Sequence, residues 1–150
     1  MCSYDIDQGQ GIRALSLQGV AFTDMPDQVS RLGALFNYRS LMMLNLRNVS
    51  GIDMVQELQV LHLPSVQLLN LNLSIKHTNQ QWQLKHENMP MLKELFCRGN
   101  HLQSIYHFSQ LHQLKLLDVA HNSIQHVLAD QLPPNLLVLN IIDNPLQHTR

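Results

Sequence analysis

The stretch LKLLDVAHNSI, residues 114–124, decides how the rest of the chain is understood. Its apolar framework consists of Leu114, Leu117, Val119 and Ile124. This spacing fits neither the alternation of a strand nor the stripe of a helix. The lone Asn122 must find hydrogen-bond partners if it is buried, because an unpaired buried polar group costs about 1 to 3 kcal/mol. A pattern that gives asparagine such a structural use is expected to recur.

The pattern recurs 22 residues earlier and 22 residues later. LKELFCRGNHL, residues 92–102, and LLVLNIIDNPL, residues 136–146, keep the apolar slots and place an asparagine in the same slot. The three asparagines are Asn100, Asn122 and Asn144. Three matches at constant spacing identify a repeat protein, so each residue is interpreted by its slot in the repeat.

These segments resemble leucine-rich repeats, whose signature LxxLxLxxNxL recurs at about 20 to 29 residues. IRALSLQGVAF, LMMLNLRNV and VQLLNLNLS are weaker upstream copies, with Val20, Val49 and Ser74 in the asparagine slot. We interpret residues 1–150 as a single leucine-rich repeat domain of about six repeats. The repeats start near residues 12, 41, 66, 92, 114 and 136, and truncation at one or both ends is left open.

The resemblance implies an α/β fold, a right-handed solenoid with a parallel, concave β-sheet and short helical or irregular convex segments. It also implies that Asn100, Asn122 and Asn144 form a structural ladder of hydrogen bonds between repeats. One convex helix is predicted near Pro26, with inward residues Val29, Leu32, Leu35 and Phe36. Trp82 and Leu84 are predicted to pack on the convex side.

Composition excludes several classes of function. The formal net charge of −1 gives no general electrostatic reason to bind nucleic acid. No apolar run is long enough to span a membrane. The chain has only Cys2 and Cys97, and it begins without a signal peptide, which predicts a cytoplasmic protein if the chain is complete. The sequons at Asn48 and Asn72 keep a secreted, N-terminally truncated fragment open.

Nine histidines raise the question of metal binding or catalysis. Five of them cluster between residues 101 and 126, at His101, His107, His112, His121 and His126. Their spacings match no zinc motif, and they occupy different slots of the repeat, which predicts surface or groove-lining side chains. The sequence contains no nucleophile motif and no phosphate-binding loop. We therefore expect no enzyme activity, no catalytic or metal-binding residue and no cofactor.

The exposed face of the predicted sheet is the candidate site, because alternate strand residues project from it. Phe96, with Arg47 and Arg98, has the composition of an interface hot spot. The predicted partner-binding residues are Arg47, Asn70, Phe96, Arg98, Leu116, Asp118, His121 and Asn140.

The leading prediction for function is a non-enzymatic module that binds a protein partner on this concave face. A fragment of a secreted or cell-surface immune recognition protein with leucine-rich repeats is the alternative. A histidine-based metal-binding protein or hydrolase is the third, less favoured hypothesis. Uncapped end repeats also predict end-to-end self-association through edge strands.

Overall fold

A computed structural model describes residues 11–23, 32–33, 38–76 and 81–147. One short strand forms at the centre of each repeat. The six strands are β1 (Ala14–Ser16), β2 (Met43–Asn45), β3 (Leu68–Asn70), β4 (Glu94–Phe96), β5 (Leu116–Asp118) and β6 (Val138–Asn140). They form one parallel sheet in chain order, β1 to β6. The sheet is open, because β1 and β6 each have a single neighbour.

The central leucines of the strands are in register and face the core. They are Leu15, Leu44, Leu69, Leu95, Leu117 and Leu139. The four inner leucines are fully buried, whereas Leu15 and Leu139 are only partly buried. A repeat is thus covered on both sides only when it has two neighbours, which is the expected behaviour of stacked repeats. The α/β character of the prediction is confirmed by this parallel sheet and its helical returns.

The helices described between successive strands are short. The helix α1 (Met54–Val60) follows β2, and its Asp53 cap accepts a hydrogen bond from the Gln56 backbone N–H. Three-residue 3₁₀ helices follow β3, β4 and β5, at His86–Asn88, Tyr106–Phe108 and Ala129–Gln131. The helix predicted near Pro26 falls mostly outside the described residues; Leu32, which belongs to it, is helical and buried.

Trp82 packs in the core on the return side, as predicted. It is 6% exposed, and its ring stacks on His107 with the centroids 3.9 Å apart. The edge of Phe108 lies against the same ring. Leu84 is also buried beside this group. The polar stretch that carries the tryptophan therefore supplies core residues in its described part.

The asparagines of the last three repeats join each repeat to its neighbour through buried hydrogen bonds. Asn122 Oδ1 accepts from the backbone N–H groups of Asn100 and Leu102, and its Nδ2 donates to Cys97 O, Val119 O and Ala120 O. Each partner is a backbone group left open by the turn after a strand. The side-chain amide thus satisfies groups that would otherwise be unpaired in the interior.

The other two asparagines repeat this arrangement at their own positions. Asn100 Oδ1 accepts from Ser74 N and Ile75 N, and Asn100 Nδ2 donates to Leu71 O. Asn144 Oδ1 accepts from Ile124 N alone among the described residues. The side-chain oxygens of Asn100 and Asn122 therefore each accept two backbone hydrogen bonds, whereas that of Asn144, at the β6 end, accepts one.

Candidate functional site

Three rows of side chains cross the outer face of the sheet, the face opposite the core. Because the strands pair in register, equivalent residues stand beside one another. The first row is Ala14, Met43, Leu68, Glu94, Leu116 and Val138; the middle row is Ser16, Asn45, Asn70, Phe96, Asp118 and Asn140. The third row, two residues further along each chain segment, is Gln18, Arg47, Asn72, Arg98, Ala120 and Ile142.

The middle row has a structural role in five of the six repeats. Its polar side chains accept a hydrogen bond from the backbone N–H two residues further on, as in Asn70 Oδ1 with Asn72 N (2.9 Å). The same bond occurs at Ser16, Asn45, Asp118 and Asn140. These side chains therefore stabilise the turn that follows the strand. Asn70 and Asn140, predicted as binding residues, have one amide oxygen engaged in this way.

Phe96 is the exception in the middle row. The backbone N–H that a polar residue would satisfy, that of Arg98, donates instead to Asn72 Oδ1 of the preceding repeat (2.7 Å). Asn72, which belongs to one of the two sequons, is itself buried. Phe96 is partly buried and stands between Asn70 and Asp118 in register. The turn is thus complete without any contribution from the aromatic ring.

Asp118, one of the predicted partner-binding residues, is buried. The residue is only 4% exposed, since Arg98 Nε donates to Asp118 Oδ2 at 2.6 Å and covers it. The other carboxylate oxygen accepts from Ala120 N. A buried carboxylate needs such partners, because an unpaired buried charge is strongly destabilising. Asp118 is a positioning partner of Arg98, whose own side chain is 44% exposed.

His121 lies one residue beyond the third row, whose β5 position is held by the buried Ala120. His121 has a positive φ of 56° and belongs to the turn after the strand. Its exposed Nδ1 lies 2.6 Å from Asp143 Oδ2 of the next repeat. The predicted site is therefore split, with His121 at the turn edge and Phe96, Leu116 and Asn140 on the strands.

Arg47 belongs to the third row and lies two strands away from Phe96, about 10 Å at the usual strand spacing. It is partly buried. Its backbone N–H donates to Asn45 Oδ1. Phe96 and the two arginines are thus spread over two rows and across three strands, β2 to β4, and they do not form a single compact patch.

The histidines do not form a site within the part of the chain that is described. No group of three or more His, Cys, Asp or Glu residues there could hold a metal ion. His101, His112, His121 and His126 are exposed, as predicted, but His107 is buried. Its Nδ1–H donates to Trp82 O at 2.8 Å, and burial lowers the pKa of the imidazole. His107 is a core residue, which its slot in the sequence pattern did not reveal.

Cys97 occupies an apolar slot of the fourth repeat and is fully buried. Burial, together with the nearby Asp118 carboxylate, raises the pKa of the thiol. A thiol held protonated in this way is a poor nucleophile. Cys97 therefore has a packing role.

Comparisons with known proteins assign no family to the chain, since no protein-family model, curated protein or solved structure matches it. In the described residues, no helix has the length and apolar character required to cross a membrane. The chemistry of the outer face is consequently the basis for a functional proposal.

Proposed function

We propose that the chain is a non-enzymatic protein-interaction module, a leucine-rich repeat solenoid that binds a protein partner on the outer, concave face of its sheet. Phe96 is the observation that carries the proposal. The turn after β4 takes its hydrogen bond from Asn72, so the local structure does not require an aromatic residue at this position. Aromatic side chains are enriched among the residues that dominate the binding energy of interfaces.

Neighbouring side chains on the same face support this role. Leu116 follows Glu94 in the first row and is partly buried, while Met43 and Val138 are about half exposed, at 48% and 51%. Apolar groups left in water gain free energy when a partner covers them, about 25 cal/mol per Å². Asn140 and the exposed part of Arg98 add polar contacts around this strip. An apolar centre with polar neighbours is the usual anatomy of a binding interface.

The test is affinity capture with purified chain and quantitative mass spectrometry of the retained proteins. Phe96→Ala is compared with Tyr106→Ala, which removes an exposed aromatic from the return side of the molecule. A partner that binds wild type and Tyr106→Ala but not Phe96→Ala is the expected result. Retention of the same proteins by Phe96→Ala, with unchanged circular dichroism, would refute the assignment of the face.

We also propose end-to-end self-association through β6, because a specific feature of that end favours it. Leu137 and Ile142, at 78% and 68%, are the most exposed large apolar residues in the described part of the chain, and β6 has an open edge. Unpaired strand edges with apolar side chains are templates for pairing. Analytical ultracentrifugation should show concentration-dependent association that Leu137→Lys abolishes. A wild-type chain that is monomeric at all concentrations would contradict this.

A further inference from the structure

A groove of about 350 Å³ crosses the outer face at strands β1 to β3, and its lining residue Asn70 stands beside Phe96 of β4. Its floor is mostly apolar, with Met43 and Leu68 as its largest side chains. Amide groups stand along its wall. The lining residues are Ala14, Leu15, Ser16, Met43, Leu44, Asn45, Leu68 and Asn70. A cleft of this composition and size accepts one or two apolar side chains and offers polar groups to orient them.

The two asparagine side chains of the groove differ in whether their Nδ2 group already donates a hydrogen bond. Asn45 Nδ2 donates to Gln18 Oε1 at 3.1 Å, and its oxygen accepts from Arg47 N. Asn70 uses its oxygen in the same way, with Asn72 N, but its Nδ2 donates to no group in the described ranges. Asn70 therefore has a donor available for a carbonyl group of a bound chain.

Arg47 lies two residues beyond Asn45 on the same face, at the edge of the groove. Its guanidinium makes no hydrogen bond or ion pair with any residue that the structure describes. Arg98, in the same row, is by contrast held by Asp118 at 2.6 Å. A guanidinium whose donors are not used within the described chain is suited to bind a carboxylate through two parallel hydrogen bonds.

Few charged side chains surround Arg47 on this face. Residues 11–22, 41–52 and 66–76, which carry the first three strands and their turns, contain no aspartate or glutamate. Their charged residues are Arg13, Arg47 and Lys76. Of these, Arg47 stands in the outer rows, and the acidic residue of the face nearest to the groove is Glu94, in register with Leu68. Arg47 belongs to the third row and Glu94 to the first, so a carboxylate paired with Arg47 lies at the opposite end of the strands from Glu94.

We propose that this groove and Arg47 bind an acidic peptide segment of a protein partner. One apolar side chain of the segment enters the groove between Met43 and Leu68, a neighbouring Asp or Glu pairs with Arg47, and Asn70 Nδ2 donates to a peptide carbonyl. The inference rests on the proposed function and narrows it to a class of partner. A nucleic acid fits the groove less well, because its affinity comes from many phosphate contacts and this area has few cations.

The test is selection of short random peptides displayed on phage against the immobilised full chain. Wild type should enrich peptides with Asp or Glu close to a bulky apolar residue. A selected peptide should bind Arg47→Gln at least about tenfold more weakly and Arg98→Gln nearly as well as wild type, since the Arg98 guanidinium is already paired. The two variants are matched, because each removes one guanidinium from the same row.

Several outcomes would overturn the inference. They are the absence of any enriched peptide, enrichment without acidic residues, and equal affinity of Arg47→Gln and wild type. Tighter binding of a single-stranded RNA oligonucleotide, or a dimer that Arg47→Gln dissociates, would assign the face to another occupant. If the chain captures a partner through Phe96 but selects no acidic peptide, the proposed function holds and this inference fails. If peptide binding requires Arg47 but no partner depends on Phe96, the inference about the groove holds and the proposed wider interface fails.

Discussion

Substitution of Asn122 by alanine is the sharpest test of how the repeats are held together. The change removes the acceptor for two backbone N–H groups, those of Asn100 and Leu102, which have no other partner among the described residues. Both residues are fully buried. It also removes the donor to Cys97 O. Water cannot easily replace these bonds, because the site lies between two stacked repeats.

The magnitude follows from the number of groups left unpaired. Each unsatisfied buried group costs about 1 to 3 kcal/mol, so the two N–H groups together predict a loss of about 2 to 6 kcal/mol. A loss of this size is a large part of the roughly 5 to 15 kcal/mol that stabilises a typical domain. Asn144→Ala is the matched control, because Asn144 accepts from Ile124 N alone and lies at the partly exposed end. Its expected cost is about 1 to 2 kcal/mol.

Urea denaturation of the wild type and both variants measures these free energies of unfolding. The fluorescence of Trp82, which is the only tryptophan and is buried, reports on the core, and circular dichroism reports on the backbone. Coincident transitions by the two probes justify a two-state treatment. Equal losses in Asn122→Ala and Asn144→Ala, or a loss below about 1 kcal/mol in Asn122→Ala, would refute the assigned role of the buried amide.

Three further predictions concern the core. The pKa of His107 is lowered from 6.5 by burial, so the unfolded chain binds the proton first as the pH falls. Stability is then fully present above about pH 6.5 and is lost below it, and His107→Phe should flatten this decline in urea midpoints. Cys97 should resist alkylation in the native chain and react in urea, as measured by peptide mass spectrometry. Leu117→Ala should cost about 2 to 5 kcal/mol and Leu139→Ala about 1 to 2 kcal/mol, because Leu139 is only partly buried; equal costs in urea denaturation would contradict the repeat stacking.

The repeat spacing predicted the positions of the strands because it records which residues must face the core. Leu117 and its equivalents recur at the centre of every strand, and the sheet order follows from their order in the chain. The helix α1 was not predicted, although Asp53 followed three residues later by Gln56 is a recognisable start signal. A helix of two turns is too short for its apolar period to be clear.

The candidate site was predictable only in part, because the exposure of a side chain and its free hydrogen-bonding groups depend on contacts with neighbouring strands. Asp118 occupies an outward position of β5, as expected, but Arg98 from the adjacent strand covers it. By the constant 22-residue spacing, Ala120 is the equivalent of Arg98 and Ile142, and His121 lies one residue beyond the outward row. The contact between Arg98 and Asp118 joins two repeats and is not encoded within one.

The sequence by itself determined the six repeats, the apolar slots and the buried asparagines, because these are set by a period that every repeat shares. Only the tertiary structure decided which outward residues remain free. Arg47 and Arg98 hold equivalent positions in their repeats, yet Arg98 is paired and no described residue pairs with the guanidinium of Arg47. The difference arises because the next strand offers Asp118 to Arg98 and a neutral Asn70 to Arg47. Pairing across strands is therefore what separates a structural arginine from one available to a partner.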